Sequence, residues 1–303
     1  MQNIDKIIIT LNELPKVWRK KIRIFLDLLK VQNIEDFDES INYFNYCASN
    51  WQIKWLKSSF DEKIISESKY RCTKIIEESE KLWIKITTLY DEDYPEKLRR
   101  LNDYPVILYS KWPFIELHKR KVVTVIWTRE ATKEWEKAAE RLWNKFSKSW
   151  FNIVSWLAKW CDTAAHKWAL LSNNWITTAI LWSWLDSIYP QENRYLADKI
   201  LDNWWLLLSE YPLWIEYNKW TLVDRDRIQA WIADLLIWVQ FWINSWTVYA
   251  IDEGINIWVP VFVVKFNNEW ELWDKISWNR EYLNLWKAKE IISTNVDDII
   301  NSI

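Results

Sequence analysis

The sequence predicts an α/β fold: a Rossmann-like, doubly wound and mostly parallel sheet, preceded by a small helical N-terminal module. From Lys121 onward, short β-branched apolar runs alternate with helical segments. These runs are apolar throughout, which is typical of strands buried on both faces of a sheet. Residues 1–82 instead place apolar side chains at helical spacing among Lys, Glu and Ser.

The predicted elements follow in order along the chain. The helical module covers 1–82 and a second domain covers 83–303, divided into a leader (83–120), a core (121–265) and a tail (266–303). Within the core, strands are predicted near 122–126, 152–155, 177–181, 205–208, 234–239 and 259–264. Helices are predicted near 131–148, 161–172, 192–203, 225–231 and 246–254. Ligands of such folds bind beyond the carboxyl ends of the strands, beside the helix N termini.

The composition excludes several functional classes. A net charge of −2 and a pI near 5.9 are not those of a globally basic nucleic-acid-binding protein. Three Cys and two His form no metal-binding or disulfide pattern, so we expect no metal and a reducing, cytoplasmic location. The sequence has no signal-like start and no apolar run of about 18 residues, so we expect no membrane partner.

Tryptophan and glycine occur in unusual numbers. The chain has 28 Trp and one Gly, whereas typical usage predicts roughly 21 Gly in a chain of 303 residues. The Trp fall where glycine is common: Trp127 directly follows an apolar strand, and Trp175 follows the polar pair Asn173-Asn174. We interpret most of them as glycines whose UGA codons the source organism decodes as Gly. The alternative is a truly Trp-rich core or stacking protein, which would still need glycines in its turns.

The first candidate binding turn follows the strand at 122–126. With Trp127 taken as glycine, the turn becomes Gly-Thr-Arg. Thr128 can then cap the next helix, and Arg129 can contact a phosphate beside the free N–H groups of that helix. The alternative is a capped helix with a surface arginine.

The second strand-to-helix turn begins at Ser155 and becomes Ser-Gly-Leu-Ala-Lys-Gly-Cys-Asp. Trp156 and Trp160 frame a loop of small residues that also contains Lys159. Ser155 lacks the Gly-x-Ser-x-Gly pattern of a hydrolase nucleophile. For His166, in the following helix, we expect a hydrogen bond beneath the loop rather than a part in catalysis.

Three further turns complete the set. Trp182-Ser183-Trp184 becomes Gly-Ser-Gly and half-matches a dinucleotide fingerprint, without its third glycine or its acidic ribose-binding residue. Asp224–Ile228 opens a helix with Arg225 and Arg227, which can contact phosphate or pair with the neighbouring aspartates. Asn244–Thr247 becomes Asn-Ser-Gly-Thr, the pattern of an anion-binding nest.

Taken in this order, the motifs resemble those of the DprA/Smf family, the DNA-processing proteins of bacterial transformation. The resemblance runs from about Thr87 to the C terminus and includes Asp93-Tyr94-Pro95 and Pro105–Tyr109. The motifs G-[ST]-R, S-G-L-A-x-G-x-D-x-x-A-H, G-x-G-x-D-x-x-Y-P-x-x-N and S-E-x-P then follow with family-like spacing. The ordered set is specific, and it fits only after Trp is exchanged for Gly.

The resemblance implies a non-enzymatic protein of the cytoplasm with no cofactor. Such a protein binds and protects single-stranded DNA, forms a homodimer and loads the RecA recombinase on the DNA during natural transformation or recombination. The DNA-binding residues that it implies are Trp127, Thr128, Arg129, Ser155, Trp156, Lys159, Trp182, Trp184, Asn193, Arg225, Arg227, Ser245 and Trp246. Tyr189 and Tyr195 are candidate stacking platforms for bases, with packing as the alternative role.

The chain departs from the family pattern at several positions. The F-P that precedes R-N-R in the family is Leu222-Val223 here, and the central Asn is Asp226, whose charge would weaken contact with DNA. The P-G after the last core strand is Val264-Lys265. We expect no C-terminal winged helix, a module common in the family, because the chain ends at Ile303.

Two other functions use the same type of sheet. A LOG-like nucleotide phosphoribohydrolase requires P-G-G-x-G-T-x-x-E, but Asn244–Ala250 lacks the Pro and the double Gly and has Ala250 at the position of the catalytic Glu. A dinucleotide-binding oxidoreductase is supported only by the half-matched fingerprint at 182–184. Both remain open as alternatives.

Overall fold

The computed structural model describes most of the chain. The described residues are 1–50, 52–53, 60–99, 101, 103–126, 133–157, 163, 165–167, 176–181, 183–214, 219–239, 248–265, 277–285, 287–292 and 294–303. They form two compact units, Met1–Tyr109 and Ser110–Ile303. This division falls inside the predicted leader, and the predicted domain boundary between 82 and 83 stays a prediction.

Four helices open the first unit. They are α1 (Asn3–Asn12), α2 (Arg19–Gln32), α3 (Phe37–Ser49) and α4 (Glu62–Lys81). Aspartates cap two of them, because Asp36 accepts a hydrogen bond from the N–H of Glu39 and Asp61 accepts one from the N–H of Ile64. Such caps stabilise a helix by about 1 kcal/mol each. These helices confirm the predicted helical N-terminal module.

Two strands and a short helix follow α4. They are β1 (Lys85–Thr88), α5 (Glu96–Arg99) and β2 (Ile107–Lys111). Thr88 donates a buried hydrogen bond to Asp5 in α1, and the Tyr94 hydroxyl donates one to the carbonyl of Pro105. The sequence predicts turns and extended segments here but neither strand, because each apolar run is short and lies beside proline or charged residues.

Seven strands and seven helices follow β2 among the described residues. The strands are β3 (Val122–Ile126), β4 (Asn152–Ser155), β5 (Ile176–Leu181), β6 (Leu206–Ser209), β7 (Leu235–Trp238), β8 (Val261–Val264) and β9 (Lys289–Ile291). The helices are α6 (Ile115–Lys119), α7 (Lys133–Lys148), α8 (Arg194–Asp202), α9 (Lys219–Ile232), α10 (Val248–Asn256), α11 (Ser277–Asn284) and α12 (Val296–Ser302). A 3₁₀ turn, Gln191–Asn193, leads into α8. The predicted helix at 161–172 lies mostly outside the described residues.

The nine strands form one sheet in the order β1-β2-β6-β5-β4-β3-β7-β8-β9. All six pairings from β6 through β9 are parallel. The chain winds from β3 to β6 in one direction and then continues at β7 on the other side of β3. The predicted Rossmann-like, doubly wound sheet is therefore confirmed, and its switch point lies between β3 and β7.

The sheet is buried between helices. Trp143 and Phe146 of α7 pack with Val123 and Ile153 of the sheet in one apolar cluster. In α10, Gly254 lies against β7, where a Cβ atom would clash with a Leu236 methyl carbon. Among the helices described, none is long and apolar enough to cross a membrane.

Candidate functional site

The carboxyl ends of the parallel strands meet at one edge of the sheet, which we call the carboxyl edge (the residues that follow β3, β4, β5, β6 and β7). Ser155 ends β4 there, and its buried hydroxyl donates a hydrogen bond of 3.3 Å to the carbonyl of Val125 in β3. This bond ties together the ends of two neighbouring strands. Ser155 therefore fixes the point at which the chain leaves the sheet for the next turn.

Two side chains hold the carbonyl groups of that turn. The carbonyl oxygen of Trp156 lies 2.6 Å from Nε2 of His166. The carbonyl oxygen of Leu157 accepts a hydrogen bond of 2.7 Å from Nδ2 of Asn193, which also donates to the Thr163 hydroxyl at 2.8 Å. Both carbonyls are therefore bonded to protein groups, and the predicted hydrogen bond of His166 beneath the loop is confirmed.

His166 is fully buried and bonded at both ring nitrogens. Its Nδ1 lies 2.7 Å from the Thr177 hydroxyl, which in turn donates to the carbonyl of Ile153 at 2.7 Å. Burial lowers the pKa of His166 to about 4, and the hydrogen bond to the Trp156 carbonyl partly opposes that shift. The imidazole is therefore neutral at pH 7.

The turn after β5 is tied to the end of β6. The Ser209 hydroxyl donates a hydrogen bond of 2.8 Å to the carbonyl of Ser183, and the Ser183 hydroxyl donates one of 3.0 Å to the carbonyl of Ser187. Ser183 is buried, whereas its neighbour Trp184 is half-buried. These two hydrogen bonds together stabilise a bend at the carboxyl edge.

Arg227 and Glu210 form a buried ion pair near this edge. One guanidinium nitrogen of Arg227 lies 2.6 and 2.8 Å from the two carboxylate oxygens of Glu210, and both side chains are about nine-tenths buried. The guanidinium also lies 4.7 Å from the ring centre of Trp231. The pair joins the residue after β6 to α9, so Arg227 is anchored to a protein carboxylate.

Two exposed tyrosines follow β5. Tyr189 is 52% exposed and Tyr195, in the first turn of α8, is 44% exposed. The ammonium group of Lys167 lies 5.6 Å from the ring centre of Tyr195. An exposed aromatic face beside a cation is an arrangement on which a nucleic-acid base can stack while its phosphate approaches the charge.

The structure brings together part of the predicted site. Five of the predicted residues are described: Ser155 ends β4, Trp156 follows it, Trp184 and Asn193 lie between β5 and β6, and Arg227 lies in α9. Asn193 and Arg227, predicted to contact DNA, here bond protein groups. Arg225 lies in α9, and its side chain is outside the described residues. The other predicted residues lie outside them altogether: Trp127, Thr128, Arg129, Lys159, Trp182, Ser245 and Trp246.

Sequence reasoning missed several residues that shape the site. Thr177 appears in the sequence as an ordinary strand residue, and its partner is known only once β4 and β5 lie side by side. For Ser209 the sequence indicates the motif but not its partner, the Ser183 carbonyl. The Ser-Glu pair at 209–210 was available as a signal because it belongs to the S-E-x-P motif. Among the described residues, no group of three or more His, Cys, Asp or Glu is placed to hold a metal ion.

The chain belongs to the DNA recombination-mediator protein A family, whose model matches residues 85–302. The matched segment begins at β1 and ends in α12. It therefore contains the whole sheet and the turns of the carboxyl edge.

Characterised relatives carry names of the same family. The chain is 32% identical over 177 residues to DNA processing protein DprA of Streptococcus pneumoniae, a match covering 58% of this chain and 61% of that protein. It is 28% identical over 181 residues to DNA processing protein DprA of Bacillus subtilis, covering 60% of each. These matches thus span about three fifths of the relatives' length.

Solved structures show the same fold. The structure of DNA processing protein A from Streptococcus pneumoniae has a TM-score of 0.77 at 24% identity and covers 98% of this chain and 96% of that one. A second structure concerns the single-stranded DNA binding mode of DNA processing protein A from Helicobacter pylori. It has a TM-score of 0.62 at 26% identity and covers 72% of this chain and 95% of that one.

Proposed function

We propose that this protein binds and protects single-stranded DNA at the carboxyl edge of its sheet and loads the RecA recombinase on that DNA. In this proposal the protein acts in the cytoplasm during natural transformation or recombination, as a homodimer, and binds without catalysing a reaction. The family supports the proposal, as does the structure from Helicobacter pylori that concerns single-stranded DNA binding.

The observation that carries the proposal is the bonding of the turn after β4. Two buried side chains, His166 and Asn193, bond the consecutive carbonyls of Trp156 and Leu157. A preformed backbone turn at the carboxyl edge of a parallel sheet is the usual position for binding phosphate groups. Because the carbonyls of Trp156 and Leu157 are already bonded to the protein, a ligand that binds beside them does not pay to orient them.

The net charge of −2 limits how the DNA is held. Each neutralised phosphate of a single strand contributes about −0.7 to the slope of log affinity against log salt concentration. An acidic chain is expected to make few such contacts, so its slope is shallow. Two sites in a homodimer would raise the apparent affinity for a long strand through effective concentration.

A binding assay tests this function. Fluorescently labelled oligo-dT is titrated with the purified chain at several salt concentrations, and we expect salt-sensitive binding that Arg129→Ala weakens. Arg71→Ala is the matched control, because Arg71 lies on α4 and pairs with Glu67 at an exposed position. Absence of oligo-dT binding, or equal affinities for Arg129→Ala and the parent chain, contradicts the proposal.

The RecA step has its own assay. Oligo-dT precoated with single-stranded DNA-binding protein is mixed with RecA and ATP, and the lag before ATP hydrolysis is measured. We expect the chain to shorten this lag and Arg129→Ala to restore it. An unchanged lag at saturating protein would contradict RecA loading while leaving DNA binding intact.

We also propose that most Trp of this chain stand at glycine positions. The ends of α4, α7, α8 and α10 support this, because the second residue after each helix is a Trp with left-handed backbone. These residues are Trp83 (φ 55°), Trp150 (φ 66°), Trp204 (φ 62°) and Trp258 (φ 63°). In the part of the chain that the structure describes, six of the eight non-glycine residues with positive φ are Trp.

The hydrogen bonds at these four helix ends define one motif. At α4, the N–H of Ile84 donates to the carbonyl of Ser79 at 2.8 Å and the N–H of Trp83 donates to that of Glu80 at 3.2 Å. The same two bonds close the other three helices. This is the Schellman motif, whose left-handed residue is usually glycine. The four indoles are 65–92% exposed, so their packing offsets little of the backbone cost.

A buried indole without a hydrogen-bond partner also supports the exchange of Trp for Gly. Trp143 is fully buried in α7, and its Nε1 has no hydrogen-bond partner among the described residues. Buried Trp N–H groups are normally bonded.

Mass spectrometry of the protein isolated from its source organism tests the exchange of Trp for Gly directly. Peptides carrying Gly at 83, 150, 204 and 258 are expected, and Trp at all four would overturn the proposal.

A further inference from the structure

We propose that His166 and Asn193 are positioning residues for DNA binding, which act by orienting the turn at Trp156 and Leu157 and do not touch the DNA. The inference rests on the proposed function and deepens it. It assigns a role to His166, and it gives Asn193 an indirect role in place of the direct contact expected from the sequence.

The two side chains reach the turn from different parts of the fold. His166 lies in the segment between β4 and β5, whereas Asn193 ends the 3₁₀ turn before α8. Their relative exposures are 0% and 4%. A ligand in the solvent-accessible part of the site therefore cannot directly contact the imidazole of His166 or the amide of Asn193. Each can influence binding only through the backbone that it holds.

The bonds determine which groups the turn presents to a ligand. A carbonyl oxygen carries partial negative charge and repels phosphate, and the carbonyls of Trp156 and Leu157 are both turned toward buried donors. The Trp156–Leu157 peptide is trans, so the N–H of Leu157 points away from His166. Because the contacts use backbone atoms, they do not depend on the side chain of residue 156 and can form with Trp or Gly there.

The hydrogen-bond partners also fix the tautomer of His166. The Trp156 carbonyl only accepts, so Nε2 of the neutral ring carries the proton. Nδ1 is then an acceptor, and the Thr177 hydroxyl, which lies 2.7 Å from both Nδ1 and the Ile153 carbonyl, donates its single proton to one of them at a time. The buried surroundings of the ring thus determine that Nε2–H is the donor that faces the Trp156 carbonyl.

Variants of the full-length chain separate positioning from general stability. His166→Leu and Asn193→Leu remove the donors but keep similar volume, and we expect each to weaken oligo-dT binding about tenfold. His166→Gln keeps a donor near the position of Nε2 and is expected to restore most of the affinity. The matched control is Asn152→Ala, which removes a buried hydrogen bond to Thr178 at the opposite end of β4.

All affinities are measured well below the melting temperature of every variant. The positioning role is overturned if both leucine variants bind like the parent, or if Asn152→Ala loses as much affinity as they do. Failure of the parent chain to bind oligo-dT would contradict the proposed function instead, so the two failures are distinguishable.

A measurement on the unaltered protein covers the case in which a variant does not fold. The chain has only two histidines, His118 and His166, so their ring ¹⁵N signals are readily told apart. We expect His166 to show the Nε2–H tautomer and its signals to move when oligo-dT is added, while those of His118 stay in place. Unmoved His166 signals at saturating oligo-dT overturn the proposal.

Discussion

Buried polar side chains shape the described part of the carboxyl edge. Ser155, His166, Asn193 and Ser209 each bond a backbone carbonyl at or near a strand end. A buried donor that loses its acceptor costs about 1–3 kcal/mol, so each bond strongly disfavours other turn conformations. At the scale of single residues, the site is therefore defined by backbone geometry that buried side chains enforce.

His166 makes the stability of the fold depend on pH. Its pKa is about 4 in the folded protein against an ordinary value of 6.5, so the unfolded chain binds the proton more readily. The contribution of His166 is fully present above pH 6.5 and is lost as the pH falls toward 4. We expect the free energy of unfolding to drop by about 3 kcal/mol from pH 7 to pH 4 through this group.

Urea denaturation of the parent chain and His166→Gln at both pH values measures that drop. The variant lacks the titrating group, so its loss of stability on acidification should be smaller by the stated amount. Parallel pH profiles for the two proteins would contradict the assignment of a neutral, buried His166.

Tyr195 offers a test of base stacking. We expect Tyr195→Ala to weaken oligo-dT binding about 5- to 150-fold, because stacking on an aromatic side chain contributes roughly 1–3 kcal/mol per base. Tyr70→Ala is a close control, since Tyr70 is also exposed and has Lys74 at 5.8 Å from its ring centre, but lies on α4. Fluorescence anisotropy reports both affinities. If the two substitutions change the affinity equally, Tyr195 does not stack on a base of the DNA.

At the scale of elements, the helix ends give the clearest support for glycine at Trp positions. At positions 83, 150, 204 and 258, Gly should give a more stable protein than Ala by about 1 kcal/mol per site, because Ala keeps the Cβ that disfavours left-handed backbone. At Tyr70, in the regular part of α4, the order should reverse, since Gly is about 1 kcal/mol less favourable than Ala in a helix interior. Thermal unfolding of the paired variants gives both differences. Ala equal to Gly at the four helix ends would contradict the glycine assignment.

The sequence predicts the central strands well because each is a continuous β-branched or leucine-rich run. The predicted 122–126 and 152–155 coincide with β3 and β4. In contrast, β9 (Lys289–Ile291) was not predicted, because two of its three residues are charged and only its pairing with β8 makes it a strand. α9 begins at Lys219, six residues before the predicted 225.

The sequence predicted the positions of turns but not the contacts within them. Strand ends followed by small or polar residues correctly indicated the turns after β4 and β5. The partners of Asn193 and Arg227 could not be read from the chain, because their acceptors lie 36 and 17 residues away in sequence and meet them only in the folded sheet. Two side chains that the sequence predicted to contact DNA thus form hydrogen bonds within the protein.

At the scale of the whole molecule, we propose that single-stranded DNA lies along the carboxyl edge of the sheet. The most direct test is photo-crosslinking of bromodeoxyuridine-substituted oligonucleotide to the chain, with the linked peptides located by mass spectrometry. We predict crosslinks in peptides containing Tyr189, Tyr195 or the turn at 156–157. Crosslinks confined to the opposite edge, such as peptides at 149–152 or 258–260, would contradict DNA binding at the carboxyl edge.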